Sequence, residues 1–112
     1  LLAGAKTLPT IIFDEIDTGV SGAIADKMAQ MMQQLCRNGH QVLAITHLPQ
    51  IASYGEHHYK VYKEDNDDAT RTGIMLLNRD ERIIEIAQMM SGTSLSQAAI
   101  ENAKSLIENN GR

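Results

Sequence analysis

Two short apolar runs on either side of an amphipathic segment limit the folds that this chain can adopt more than any other sequence feature does. The first run, Thr10-Ile11-Ile12-Phe13, is β-branched and aromatic and ends at Asp14-Glu15, which predicts a strand buried on both faces. The second run, Gln41 to Thr46, precedes Pro49, which cannot occupy a central strand. A strand, a helix and a strand in this order predict a βαβ unit with two parallel strands.

The helix of this unit is predicted from its capping signals and its periodicity. Ser21 is a capping residue, and Asn38-Gly39 follows Arg37 as a stop signal. Apolar residues recur at helical spacing and are expected to face the core; they are Ile24, Met28, Met31 and Leu35, with Met32 and Cys36 widening the stripe. Cys36 is the single cysteine, so no internal disulfide can form and a reducing, cytoplasmic setting is expected.

The second half of the sequence predicts a hairpin and two helices. After a short helical stretch at residues 50–54, strands at 58–62 and 71–77 are joined by the polar loop 64–68. Asn78 with Glu81 and Ser94 with Gln97 are two capping boxes. The first helix is predicted to bury Ile83, Ile84, Ala87 and Met90 and to end at Ser91-Gly92-Thr93, and the second to bury Ala99, Ala103, Leu106 and Ile107 and to end at Asn110-Gly111.

Composition excludes several classes of protein. The 112 residues are 43% hydrophobic, which predicts one globular domain over residues 1–112. Ten Lys and Arg against 14 Asp and Glu give a net charge of −4 without a strongly basic stretch, so a DNA-binding footprint is not visible. The apolar runs are far shorter than the roughly 18 to 20 residues of a membrane span, and no membrane contact is expected. There is no initiator Met, and residues 1–6 resemble the end of a helix, so we expect a piece of a longer protein.

Charged and polar residues follow both predicted parallel strands, at the sheet edge where ligands bind in open α/β sheets. Asp14-Glu15 after an apolar tetrad is the Walker B pattern, in which one carboxylate meets Mg²⁺ and the next turns toward the γ-phosphate of ATP. His47 is expected at the same edge and can donate a hydrogen bond to a phosphate oxygen. The alternative for these residues is a solvated acidic strand end and a half-buried histidine.

These residues resemble a known family. Residues 11–22, Ile-Ile-Phe-Asp-Glu-Ile-Asp-Thr-Gly-Val-Ser-Gly, and 44–52, Ala-Ile-Thr-His-Leu-Pro-Gln-Ile-Ala, are similar to the carboxyl-terminal part of the RecN family of DNA repair proteins, which belongs to the SMC-like branch of the ABC ATPases. The resemblance covers most of the chain. It implies an α/β fold, namely the parallel βαβ core of a P-loop ABC-type ATPase head in its carboxyl-terminal lobe, followed by a hairpin and two helices.

The resemblance also implies roles for single residues. Asp14 would be the Walker B aspartate that holds Mg²⁺, through water, and Glu15 the catalytic glutamate. His47 would be the switch histidine. Residues 17–22 would form the D-loop across a dimer interface, with Asp17, Ser21 and Gly22 near the nucleotide.

The resemblance implies further components that this sequence lacks. No glycine precedes a lysine, so the phosphate-binding G-x-x-x-x-G-K-[ST] loop is absent, and so is the family's signature segment. The expected cofactors, ATP and Mg²⁺, and the expected partners therefore belong to the intact protein: its N-terminal half with the coiled coil, a second copy of the head in an ATP-dependent homodimer, and DNA during double-strand-break repair in the nucleoid. The fragment alone is expected to be inactive.

Two other readings stay open from sequence. One is the head of another SMC or ABC ATPase, against which residues 17–22 and 47–52 argue; the other is a non-catalytic interaction module with this fold. Weaker candidates within the chain are His57-His58 beside Glu56 for a metal and residues 64–68 for calcium. Adjacent strand residues face opposite ways and the acidic loop lacks the required glycine, so a strand start and a solvated turn are predicted there.

Overall fold

A computed structural model describes residues 9–14, 22–92 and 94–110 of the chain. Its contacts divide the chain into two compact units, Leu1–Tyr54 and Gly55–Arg112, and each is described by itself. The assignment of residues 1–112 to one domain stays a prediction.

The first unit contains the predicted strand, helix and strand. Strand β1 spans Thr10–Asp14, helix α1 Gly22–Arg37, strand β2 Gln41–Ile45 and the short helix α2 Pro49–Ala52. β1 and β2 pair in parallel, with Thr10 opposite Gln41 and Asp14 opposite Ile45. The prediction of two parallel strands joined through a helix is therefore confirmed for this unit.

The core of the first unit differs from the predicted helix face. Ala25, Ala29, Met32 and Ile51 are buried together. Of the predicted stripe, Met32 is buried and Met28 and Leu35 are half-buried. Ile24 and Met31 are 51% and 52% exposed, and Cys36 is exposed. The buried face is thus rotated by about a quarter-turn from the predicted one. Small alanine side chains can let a helix approach its neighbours closely, and two of them lie on the buried side of α1.

The prediction that the first strand is buried on both faces is wrong for this chain. Phe13 and Val42 pack against the core, but Ile12, Leu43 and Ile45 on the alternate positions are 62%, 47% and 53% exposed. Side chains along a strand alternate between faces, and within the described part of this unit helices cover only one of them.

The connection from α1 to β2 is short and fixed by hydrogen bonds. The Gly39 amide donates to the Cys36 carbonyl at 3.0 Å, and the His40 amide donates to the Leu35 carbonyl at 3.1 Å. With Gly39 at φ 100°, these bonds form a Schellman motif, which ends a helix through a left-handed glycine. The predicted stop at Asn38-Gly39 is confirmed.

The second unit begins with the predicted hairpin. Strands β3, Tyr59–Asp65, and β4, Thr70–Leu76, pair antiparallel. The backbones of Asn66 and Ala69 bond to each other at 2.9 and 3.3 Å, so the turn is tighter than the predicted 64–68 loop. Opposite Tyr62 lies Gly73, and the Tyr62 ring occupies the space that a Cβ atom at position 73 would need.

Two helices complete the second unit, α3 at Arg79–Ser91 and α4 at Gln97–Asn110. The predicted capping box is present, since the Glu81 amide donates to Asn78 Oδ1 at 2.8 Å and the Asn78 amide donates to Glu81 Oε1 at 2.9 Å. Gly92, at φ 79°, caps the end of α3, as predicted, whereas Thr93 lies outside the described residues.

Two predictions about these helices are wrong, one about the buried face of α3 and one about the residue that caps α4. On α3 the buried residues are Ile83, Ile86 and Ala87, while Ile84 and Met90 are 45% and 41% exposed. At the start of α4 the side chain that accepts from the first turn is that of Ser96, bonded to the Ala99 amide at 3.1 Å, in place of the predicted Ser94. The predicted inward residues of α4 are confirmed, with Ala99, Ala103 and Ile107 buried and Leu106 half-buried.

The described residues thus form a mixed α/β structure with small sheets and four helices. None of these helices combines the length and the apolar character that crossing a membrane requires.

Candidate functional site

The parallel pairing of β1 and β2 brings two predicted site residues to the same end of one sheet. Asp14 is the last residue of β1 and pairs with Ile45, the last residue of β2. His47 follows two residues later, and both Asp14 and His47 are exposed. The structure therefore places a carboxylate and an imidazole at the carboxyl ends of neighbouring strands, as predicted.

The turn that carries His47 is shaped by its two neighbours in sequence. The Leu48 amide donates to Thr46 Oγ1 at 3.0 Å, which closes a small turn around His47. Pro49 then begins α2, where the fixed φ of proline suits the first helical position. His47 is thus held between the end of a strand and the start of a helix, with its side chain in solvent.

Gly22 is a further predicted site residue that the structure describes. It is the first residue of α1, and a Cβ atom there would lie 3.3 Å from Nε2 of Gln50. The end of a flexible side chain can shift, so the start of α1 lies close to the Gln50 side chain but does not require a glycine there. Glu15, Asp17 and Ser21 lie outside the described residues, and their roles stay predictions.

A hydrogen-bonded cluster that joins α1 to the residues after α2 could not be identified from the sequence. The Tyr54 hydroxyl donates to Asp26 Oδ1 at 2.8 Å, and Gln30 Nε2 donates to Asp26 Oδ2 at 3.0 Å. Burial, opposed by the Gln30 amide and reinforced by the Asp26 carboxylate, raises the pKa of Tyr54 above its ordinary value. The four-residue spacing of Asp26 and Gln30 is a helix-surface signal, but nothing in the sequence points to Tyr54.

The histidine pair considered for a metal lies in the second unit. His57 and His58 line a cleft of about 270 Å³ together with Arg79, Arg82 and apolar residues of β4 and α4. No group of three His, Cys, Asp or Glu suited to a metal ion occurs in the described parts of the chain. This cleft contains none of the predicted nucleotide-site residues.

The comparisons with known proteins find relatives that are DNA repair proteins. The chain is 46% identical to the DNA repair protein RecN of Xylella fastidiosa strain 9a5c over 105 residues, which are 94% of this chain and 19% of the relative. It is 46% identical to RecN of Deinococcus radiodurans over 104 residues, 93% of this chain and 18% of that protein. For RecN of Haemophilus influenzae the identity is 35% over 108 residues.

The match is therefore nearly complete for this chain and partial for its relatives. The chain spans about 19% of the length of the curated relatives it matches. No protein-family model matches the chain.

Proposed function

Since the chain belongs to the RecN family of DNA repair proteins, we propose that it is the carboxyl-terminal lobe of an ABC-type ATPase head, which supplies the Walker B carboxylates, the D-loop and the switch histidine. The observation that carries the proposal is the parallel pairing of β1 and β2, with Asp14 opposite Ile45. Residues that bind and hydrolyse nucleotides in open α/β sheets come from this edge.

The proposed roles follow from the chemistry of each side chain. Glu15 would orient the attacking water and accept its proton, as a carboxylate placed beside the γ-phosphate can. His47 would donate a hydrogen bond to the γ-phosphate as its charge redistributes, because an exposed imidazole on a fixed turn can reach a ligand above the strand ends. Asp17, Ser21 and Gly22 would contact the nucleotide across the interface between two heads.

Asp14 suits a magnesium ion as one contributor to its coordination. Mg²⁺ prefers oxygen ligands, keeps several waters and binds with few carboxylates, and Asp14 is an exposed carboxylate at the strand tip. When bound, the ion would neutralise charge on the β- and γ-phosphates. Asp14 would hold it through water.

The remaining parts of the proposal concern the intact protein. The phosphate-binding loop, the signature segment and the coiled coil would come from the N-terminal half of the same polypeptide. Two heads would bind ATP between them, and the conformational change would act on DNA during double-strand-break repair and recombination in the bacterial cytoplasm. The names of the relatives support a role in DNA repair.

Three substitutions in the full-length protein test the proposed roles, with Mg·ATP affinity and single-turnover hydrolysis measured separately. Glu15→Gln should retain Mg·ATP and lose about 10²–10⁴-fold in hydrolysis, the usual effect of removing acid-base assistance. Asp14→Asn should weaken Mg²⁺-dependent binding itself, because an amide is a poorer partner for a hard cation. His47→Ala should lower the hydrolysis rate more than the affinity.

Two substitutions on the exposed hairpin, Glu64→Gln and Asp67→Asn, repeat the same loss of charge outside the site and serve as controls. Hydrolysis at the parent rate by Glu15→Gln, with ATP still bound, would refute the assignment of the catalytic carboxylate. Retention of full Mg²⁺-dependent affinity by Asp14→Asn would refute the metal assignment.

A further inference from the structure

The segment from His47 to Tyr54 packs against the core of the first unit at several residues. Next to His47, Leu48 packs against the core, where Ile51 is only 5% exposed. Ser53 is fully buried, and its hydroxyl donates to the Gln50 carbonyl at 2.8 Å. The position of the backbone that carries the exposed imidazole therefore depends on how residues 48–54 are held.

Tyr54 joins the end of this segment to α1. Its hydroxyl donates to Asp26 Oδ1 at 2.8 Å across 28 positions of sequence, and its ring packs against the same core. Gln30 holds the other carboxylate oxygen at 3.0 Å and approaches the Tyr54 hydroxyl at 3.5 Å. A hydrogen bond to a charged acceptor is among the stronger side-chain interactions.

Asp26 lies about one helical turn after Gly22, where α1 begins. The bond from Tyr54 therefore connects the segment that carries His47 to the helix that follows the proposed D-loop residues. Near the start of the same helix, Gly22 lies close to the end of the Gln50 side chain.

We infer that Tyr54 and Asp26 are positioning residues for His47: their hydrogen bond holds the 47–54 segment on α1 so that the imidazole is presented at the carboxyl ends of β1 and β2. The inference rests on the proposed ATPase function. In this role neither residue contacts the nucleotide, and both act through the backbone that carries His47. Small displacements of a reacting group cost large factors in rate, so the loss of this bond should slow hydrolysis without releasing ATP.

Tyr54→Phe in the full-length protein is the first test, because it removes the hydroxyl and keeps the packed ring. We expect hydrolysis to fall by about tenfold, the equivalent of one charge-assisted hydrogen bond, while Mg·ATP affinity changes by less than about twofold. Tyr59→Phe is the matched control, since Tyr59 is 58% exposed in the second unit, and it should hydrolyse ATP as the parent does.

A double-mutant cycle of Tyr54→Phe and His47→Ala distinguishes a positioning role of Tyr54 from a general loss of structure. If Tyr54 acts through the imidazole, Tyr54→Phe should have less than about a twofold effect in a His47→Ala background. At the other end of the bond, Asp26→Ala should reproduce the effect of Tyr54→Phe. Asp26→Asn keeps an accepting oxygen and should lose less activity than Asp26→Ala.

The outcomes distinguish this inference from the function on which it rests. If His47→Ala slows hydrolysis but Tyr54→Phe does not, or if Tyr54→Phe costs the same factor with and without His47, the positioning role is wrong and the proposed site stands. If Tyr54→Phe lowers affinity as much as rate, the positioning role is also wrong. If His47→Ala hydrolyses ATP at the parent rate, the role of His47 fails and the positioning role fails with it.

Discussion

His58 shows how a single residue can make the stability of this chain depend on pH. It is half-buried at the start of the hairpin. Burial and then the Arg82 cation lower the pKa of His58, and the Glu85 carboxylate opposes them in part. The folded chain therefore binds a proton at His58 less readily than the unfolded chain does.

Because the pKa of His58 is lower in the folded chain than in the unfolded chain, the free energy of unfolding depends on pH through this residue. The stabilising contribution of neutral His58 is complete above about pH 6.5, the ordinary histidine value, and is lost as the pH falls through the lower pKa of the folded state. We expect the unfolding free energy to decrease toward acid in this range, and His58→Gln to flatten that decrease. Urea unfolding at several values between about pH 5 and pH 7.5 measures the slope.

The neighbouring substitution His57→Gln leaves His58 in place and should leave this part of the slope intact. An NMR titration that gave His58 a pKa at or above the ordinary value would contradict the prediction.

The stability of helix α3 depends on the capping box at its start. The reciprocal bonds between Asn78 and Glu81 satisfy two amide groups at the first turn that would otherwise lack partners in the helix. Asn78→Ala should therefore lower the free energy of unfolding by about 1 kcal/mol, measured by urea denaturation. Asn102→Ala, on the exposed surface of α4, is the matched control and should be neutral or slightly stabilising because alanine favours helix. Equal losses in both variants would show that the cap is unimportant.

Local signals explain which elements could be predicted from sequence. The capping box joins Asn78 and Glu81, which are three residues apart, and the helix end at Gly39 involves residues within one turn. Both signals are visible in the sequence, and both occur in the structure. The parallel pairing followed from a strand, a helix and a strand in order. These features depend on residues that are neighbours in the chain.

Features that depend on contacts between elements could not be predicted from the sequence. Ala25 and Ala29 are buried in place of Ile24 and Met31, and hydrophobic periodicity alone does not report which side of α1 meets its neighbours. The bond from Tyr54 to Asp26 joins residues 28 positions apart. At the candidate site, the common sheet edge of Asp14 and His47 was therefore predictable, and the cluster that supports the His47 segment was not.

For the chain as a whole, we predict that the 112 residues alone do not hydrolyse ATP. None of the eight glycines is followed by lysine, so the phosphate-binding loop that places the γ-phosphate is missing from this sequence. Turnover by the purified chain should equal a buffer blank, and Mg·ATP titration should show only feeble binding. Hydrolysis above the blank that persists after removal of contaminating ATPases, and is lost in Glu15→Gln, would contradict this prediction.

The exposed side of the first sheet predicts self-association of the isolated chain. Ile12, Leu43 and Ile45 form an apolar face that is about half exposed or more, and such faces bury themselves against one another in water. Sedimentation should show an average mass that rises with concentration, and Leu43→Lys should reduce the rise. Ile84→Lys, an exposed position of α3, is the control and should not. A mass that stays monomeric at all concentrations would contradict the prediction.

The ring of Tyr62 lies over Gly73, so an NMR signal of this glycine can report on the second unit. The chain has three tyrosines and no tryptophan, and this ring fills the space beside the Gly73 Cα atom. Its ring current should displace the Gly73 α-proton resonances from their random-coil positions for as long as β3 and β4 stay paired. Opening of the hairpin would return these resonances to ordinary values, whereas unfolding of the Leu1–Tyr54 unit alone would leave them in place. One glycine signal in an NMR spectrum can therefore follow the second unit separately from the unit that contains His47.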